Sequence, residues 1–256
     1  MPRFHCPGPL TIGAVQALPP AAAHHVQVLR LASGAMLTLF DGTGGEYGAT
    51  IADLGRKSAT VRIDTFSPRE AELPYAITLA QALPEAAKMD WIVEKAVELG
   101  AAGVQPLSAQ RCVVRLSGER ADKRCQHWQA IAVSAAEQCG RNRIMPVAPI
   151  AEFGRFFATA PTRLHARTII LAPGAAQDLS DWARAAGPQA VCLVIGPEGG
   201  FTPAEIALAI NHGALALGLG PRVLRTETAG LAALATLAAL WGEPGKPAEL
   251  SGFSMG

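Results

Sequence analysis

The sequence predicts an α/β protein: a small β-barrel over residues 1–70, then a domain built on a parallel sheet over residues 74–242. Three observations predict it. Short strand patterns separated by turn signals fill the first seventy or so residues. Pro68 and Pro74 bracket a short polar stretch where the pattern changes. Beyond it, apolar strand runs alternate with longer helical runs, the order a parallel sheet needs because each crossover requires a helix-sized connection.

In the first part, Met36 to Phe40 is mainly apolar, Asp41-Gly42-Thr43-Gly44-Gly45 is a turn, and Glu46 to Leu54 resumes in extended style, which reads as a hairpin. The second part opens on a strand from Ala76 to Leu83. A helix follows from about Glu85 to Leu99, with Trp91, Ile92, Lys95, Ala96 and Leu99 at helical spacing and Gly100 closing it. Trp91 and Trp128, among apolar neighbours, are expected in the core rather than as stacking platforms for bases. Next come a strand at Val104 to Leu107, a helical run over 121–139, a strand at Thr168 to Leu171, a helix at Leu179 to Ala186 and a strand at Ala190 to Ile195. A strand at Ala214 to Leu219 then leads to an almost wholly apolar helix from Ala229 to Trp241. Residues 243–256 are rich in Pro, Gly and Ser and read as a tail without an assigned function.

Half of the 256 residues are apolar, ample for a packed core. Apolar stretches such as Val191 to Ile195 are soon interrupted, far short of the roughly 20 residues a membrane span needs. Met1 to Cys6 carries no long apolar core followed by a cleavage site, so the expectation is a soluble, cytoplasmic protein. Cys6, Cys112, Cys125, Cys139 and Cys192 form no CxxC pair, which argues against a disulfide framework or zinc knuckle and for free buried thiols. The pair His24-His25 has no second ligand cluster at suitable spacing, and no metal is expected. A net charge of +1 is small for an RNA-gripping protein. Between Arg111 and Arg143, however, seven basic residues face three acids. That stretch reads either as an RNA patch or as an ordinary solvated helix face.

The most informative segment is Val191-Cys-Leu-Val-Ile-Gly-Pro-Glu-Gly-Gly-Phe-Thr-Pro-Ala-Glu-Ile206. Thr202 stands at a helix N-cap, Pro203 at the first helical position and Glu205 at the third, so a capping box satisfies the helix start. The glycine-rich loop before it is then free for a ligand, or is simply a tight turn. Its spacing is not GxGxxG, and no GxxxxGK[ST] loop exists in the chain, which disfavours dinucleotide and phosphate-loop chemistry. After the strand ending at Leu219, the run Gly220-Pro-Arg-Val-Leu-Arg-Thr-Glu-Thr-Ala229 crowds two arginines, a glutamate and two threonines ahead of a helix. Thr226 or Thr228 as a helix cap is the plain alternative, but it leaves Arg222 and Arg225 unexplained.

Together, Ile195-Gly-Pro-Glu-Gly-Gly-Phe201 and Leu219-Gly-Pro-Arg-Val-Leu-Arg-Thr-Glu-Thr-Ala229 resemble the signature loops of the SPOUT methyltransferases, specifically the branch that methylates N3 of a uridine in 16S ribosomal RNA. His25-Val-Gln-Val-Leu-Arg-Leu31, Met89-Asp-Trp-Ile-Val-Glu-Lys-Ala-Val-Glu-Leu-Gly100, Arg111-Cys-Val-Val114 and Ala135-Ala-Glu-Gln-Cys-Gly-Arg141 are similar to further pieces of that branch, so the resemblance covers about residues 3–242. It implies a PUA-like, RNA-binding barrel, a trefoil-knotted α/β domain, a homodimer, and S-adenosylmethionine as cofactor. The knot rests wholly on the resemblance, since strand-order arguments disfavour knots. The cofactor residues it implies are Leu171, Ile195, Gly196, Pro197, Glu198, Gly199, Gly200, Leu219, Gly220, Arg222, Val223, Leu224 and Thr226. One departure is Gln110, where the family usually carries an acid.

Uridine N3 must lose a proton for methylation, which calls for a base and for cations that stabilise the resulting anion. Glu137 and Glu227 are the candidate bases, and Arg141, Arg222 and Arg225 the candidate cations. Arg30, Arg111, Arg115, Lys123 and Arg143 are expected at RNA phosphates. The partner is then small-subunit ribosomal RNA or the assembled subunit. The alternatives are a SPOUT enzyme acting on another RNA or on a ribose 2′-hydroxyl, and a non-catalytic RNA-binding protein.

Overall fold

The computed structural model describes residues 1–85, 87–159 and 166–242; the expected tail, 243–256, lies outside the described residues. Its N-terminal part is a five-stranded sheet of β1 (Arg3–His5), β2 (Val15–Ala17), β3 (Met36–Phe40), β4 (Glu46–Leu54) and β5 (Ala59–Ser67), in the order β1-β3-β4-β5-β2. Alternation puts Leu37 and Leu39 of β3, and Val61 and Ile63 of β5, fully inside. The long β4–β5 hairpin carries two register shifts, at Gly48/Ala49 and Ile51/Asp53, and such bulges bend strands toward closure. From edge strand β2 a side chain reaches the residue that follows β1, Gln16 Nε2 donating to Cys6 Sγ at 3.3 Å.

The first seventy residues were expected to hold strands alone, yet α1 (Pro20–Val28) lies among them and gives Ala22, Ala23 and Val26 to the barrel core. Its short span, with Val26 and Val28 at alternate positions, carries a strand-like pattern that hides the helix. It ends with the amide of Leu31 on the carbonyl of Val26 and the amide of Arg30 on that of Gln27, a closure that puts Arg30 at φ 52°, where glycine is usual.

The second part is a six-stranded, wholly parallel sheet, ordered β11-β9-β10-β6-β7-β8. Along the chain it runs β6 (Ile77–Ala82), α2 (Lys88–Glu98), β7 (Gly103–Ser108), α3 (Gly118–Cys139), β8 (Ala151–Glu152), α4 (Phe153–Thr159), β9 (Arg167–Leu171), α5 (Leu179–Ala186), β10 (Val191–Ile195), α6 (Pro203–Asn211), β11 (Leu215–Leu217) and α7 (Thr226–Trp241). The expected strands and helices all form, with shifted ends. β10 is buried along its whole length, as a central strand covered on both faces must be, and its unbroken Val-Cys-Leu-Val-Ile run is the sequence form of that. Burial pushes the Cys192 thiol up to about 12, an inert core group. All five cysteines are free; Cys6, Cys112 and Cys192 are buried, and Cys125 and Cys139 only partly so.

Two expectations change. Trp128 is buried, but Trp91 is 45% exposed, because α2 turns Met89, Ile92, Val93, Ala96 and Val97 inward and Trp91 falls outside that stripe. The last helix begins at Thr226 rather than Ala229, with Arg225 at its N-cap and no side-chain cap, so neither Thr226 nor Thr228 caps it.

The two parts meet around the end of α3. Phe40 leaves the barrel to join the core of the large sheet, and Arg3 sits 5.0 Å over its ring. Arg3 also pairs with Glu46 and donates to Asn142 Oδ1 at 2.6 Å. Gly140, at φ 83°, ends α3 in the left-handed turn that glycine allows, and its carbonyl accepts from Arg69. Among the described residues no helix is long and apolar enough to cross a membrane.

Candidate functional site

Chain order and spatial order part company in the large sheet. From β6 the chain steps outward through β7 to β8, crosses back to β9, inserts β10 beside β6 and places β11 beyond β9. The carboxyl ends of β9, β10 and β11 therefore lie side by side, and in parallel sheets that is where ligands bind. A cavity of about 430 Å³ opens there, within the range of small-molecule sites.

Its walls are three loops and a helix start. After β9 come Leu171, Ala172 and Pro173; after β10, Ile195 to Phe201; after β11, Leu219 to Leu224; and the first turn of α7 closes it with Arg225, Thr226, Glu227 and Ala229. The β10 loop is held from within and without. The amide of Gly200 donates to the carbonyl of Pro197 at 2.8 Å, and Gly200 takes φ 67°, so this turn needs glycine. Gly199 packs so closely on Arg111 that a Cβ would meet the arginine Cβ at 3.2 Å. Beyond the loop the expected capping box is present: Thr202 Oγ1 accepts from the Glu205 amide, and Glu205 Oε2 from the Thr202 amide at 2.8 Å. Glu205 Oε1 also takes the amide of Gln110 at 2.7 Å, tying the 109–117 loop to the site. The β11 loop is pinned by Asp178, whose Oδ1 accepts from the Gly220 amide at 3.1 Å.

Every residue expected at the cofactor lines this one cavity: Leu171, Ile195, Gly196, Pro197, Glu198, Gly199, Gly200, Leu219, Gly220, Arg222, Val223, Leu224 and Thr226. Of the residues expected to act on the acceptor, Arg225 and Glu227 line it and Glu137 and Arg141 do not. Glu137 accepts the backbone amide of His5 at 2.8 Å. Arg141 is 4% exposed, paired with Glu72 and donating to the carbonyls of Val97 and Ala101. Both sit at the joint between barrel and sheet, away from the cavity, where the left-handed turn at Gly140 sends the chain after α3 back toward the barrel.

Among the residues expected at RNA, Arg111 reaches the cavity and donates to the carbonyl of Gly199 at 2.9 Å. Arg115 braces its own loop, donating to the carbonyls of Ala109 at 3.0 Å and Gln110 at 2.6 Å. Lys123 pairs with Glu119 on the exposed face of α3, Arg143 lies 3.8 Å from Glu70, and Arg30 sits on the barrel surface.

Lys88, which no sequence motif singles out, is a further cation lining the cavity. It donates to Glu198 Oε1 at 2.7 Å and lies 3.8 Å from Glu227 Oε2. Its hydrogen bond to Glu198 raises its proton affinity, against the pull of burial. Burial alone would raise the Glu198 carboxyl, but hydrogen bonds from Lys88, the Glu85 amide and its own amide bring it below its ordinary value. Glu227 Oε2 is buried and accepts no hydrogen bond. The cavity thus offers apolar walls for a flat ring, close backbone for hydrogen bonds, and two carboxylates that share Lys88. Among the described residues there is no cluster of three or more His, Cys, Asp or Glu side chains able to hold a metal ion.

Residues 71–238 match the family model of an RNA methyltransferase domain, and residues 18–64 that of an RNA methyltransferase PUA domain. The chain is 36% identical over 240 residues to the ribosomal RNA small subunit methyltransferase E of Synechocystis, covering 90% of this chain and 74% of that one. A Legionella pneumophila protein, described as a methyltransferase in complex with its cofactor SAM, superposes with a TM-score of 0.88 at 39% identity, over 94% of this chain and 98% of that one. The ribosomal RNA small subunit methyltransferase E of Neisseria gonorrhoeae, bound to S-adenosyl methionine, superposes with a TM-score of 0.87 at 38% identity, with the same coverage.

Proposed function

The chain belongs to the RNA methyltransferase family, and on that premise we propose that it transfers a methyl group from S-adenosylmethionine to N3 of a uridine in 16S ribosomal RNA. The observation that carries the reading is the cavity at the ends of β9, β10 and β11, lined by Glu227, whose buried Oε2 accepts no hydrogen bond.

The residues present fit that cofactor. Leu171, Ile195, Leu219 and Leu224 offer apolar surface to an adenine ring, Gly196, Gly199 and Gly220 let main-chain groups approach it, and Glu198 and Glu227 suit a ligand that carries positive charge. When bound, S-adenosylmethionine supplies an activated methyl group on a sulfonium. The protein's share is alignment and proton handling. Glu227 accepts the N3 proton, and Arg225 with Arg222 stabilises the charge left on the uracil oxygens. Lys88 holds Glu198 and stands beside Glu227, which eases the repulsion between the two carboxylates at the rim.

Arg111 beside the cavity, with Arg30, Arg115, Lys123 and Arg143, contacts phosphates, and the barrel over residues 1–70 presents the RNA to the methyltransferase domain over residues 74–242. The protein works as a cytoplasmic homodimer, its α/β chain threaded as a trefoil knot; the return of α7 from the β11 edge across β10 and β6 supports that path. Single-turnover transfer of labelled methyl to small-subunit RNA tests the assignment of the base. Glu227→Gln is expected to slow the step by about a hundredfold or more while S-adenosylmethionine still binds; an unchanged rate overturns that role.

A further inference from the structure

Gln81 is a polar side chain on the central strand β6, fully buried between the sheet and α7. Its Nε2 donates to the carbonyl of Ala82 and to Thr226 Oγ1, both at 2.9 Å. The Ala82 carbonyl can only accept, so the amide nitrogen is the end turned toward it, and Thr226 Oγ1 must accept from the same group. The Thr226 hydroxyl hydrogen is then left to donate, and it goes to the carbonyl of Gly196. The hydrogen bonds run in one direction, from the middle of the sheet to the first residue of the cavity loop.

The approach of α7 that makes this possible depends on Gly230, one turn beyond Thr226 on the same helix face. A Cβ at Gly230 would meet Leu79 Cδ1 at 3.0 Å, Ile195 Cγ1 at 3.4 Å and Gln81 Oε1 at 3.5 Å. The two hydrogen bonds of Nε2 are offset by a cost at the other end of the amide. Gln81 Oε1 is buried without a hydrogen-bond partner, a cost that a methionine of similar shape would not carry.

We propose that Gln81 is a positioning residue for the cofactor cavity: through Thr226 it fixes the Gly196 carbonyl, and with it the loop from Gly196 to Gly200. The inference rests on reading the cavity as an S-adenosylmethionine site. Without Gln81 the Thr226 hydroxyl loses the donor that commits its hydrogen to the Gly196 carbonyl, the loop is held less tightly, and the cofactor must order it at the expense of its own affinity.

Calorimetric titration of S-adenosylmethionine into the unaltered protein, Gln81→Met, Thr226→Val, the double variant and Thr226→Ser tests this, together with thermal midpoints and hydrogen exchange of the 196–201 amides without cofactor. Gln81→Met and Thr226→Val are each expected to weaken binding roughly tenfold. The double variant should be no weaker than either alone, since both break one chain. Thr226→Ser keeps the hydroxyl and should keep the affinity. The loop amides should exchange faster in Gln81→Met while its midpoint does not fall. Unaltered affinity in Gln81→Met, or weakening that appears only with a lowered midpoint, overturns the inference. Failure of the unaltered protein to bind overturns the cavity reading itself, and this inference with it.

Discussion

Arg141 directs its guanidinium at Glu72 and at the carbonyls of Val97 and Ala101, all within the fold. Its place in a family-like motif made it a candidate for catalysis, and only its surroundings reveal a structural task. Arg141→Ala leaves Glu72 partly buried without its partner and takes a donor from the carbonyls of Val97 and Ala101, so unfolding by denaturant should show a loss of about 3 kcal/mol. S-adenosylmethionine affinity of the folded variant should be unaltered, and a loss of affinity at unaltered stability would contradict the assignment. Lys88 is the converse case. Nothing in its sequence context marks it, since it stands just ahead of the run beginning at Met89 and resembles any surface lysine at a helix start; its meaning comes from Glu198, 110 positions later, folding onto it. Gln81 was equally invisible, because a lone glutamine in an apolar run gives no clue to what lies opposite.

Among the elements, the start of α6 was fully legible. The Thr-Pro-Ala-Glu run prescribes its own geometry through local hydrogen bonds, and the structure contains them. Thr202→Ala removes the side-chain acceptor of the Glu205 amide and should cost about 1 kcal/mol in denaturant unfolding. Because that cap also sets the end of the Gly196–Gly200 loop, cofactor binding should weaken as well; unaltered stability would mean that the amide finds another partner. The elements that were misread are those whose fate is set at a distance. α1 lays Ala22, Ala23 and Val26 on the barrel core, and α7 starts at Thr226, three residues early, where the Arg225 carbonyl accepts the Thr228 and Ala229 amides and the Thr226 hydroxyl is engaged by Gln81 and Gly196.

At the scale of the whole molecule, the alternation of strands and helices specified a parallel sheet but not the order β11-β9-β10-β6 that sets three strand ends together. The thirteen residues expected at the cofactor lie in three separate segments, and no local physical rule assembles them; the expectation came through family likeness. The joint between barrel and sheet, built from Arg3, Glu46, Arg69 and the 140–143 turn, likewise depends on contacts between residues far apart in sequence, Arg3 with Asn142 and Arg69 with the Gly140 carbonyl among them. It holds the barrel against the large sheet, the arrangement needed if one RNA strand is to reach both. The central claim is that this cavity serves methylation of uridine N3 in small-subunit RNA. The most direct test is to incubate the protein with labelled S-adenosylmethionine and small ribosomal subunits lacking the modification, then identify the labelled nucleoside by mass spectrometry. The account predicts N3-methyluridine in the small-subunit RNA; label in another nucleoside, or none despite cofactor binding, would contradict it.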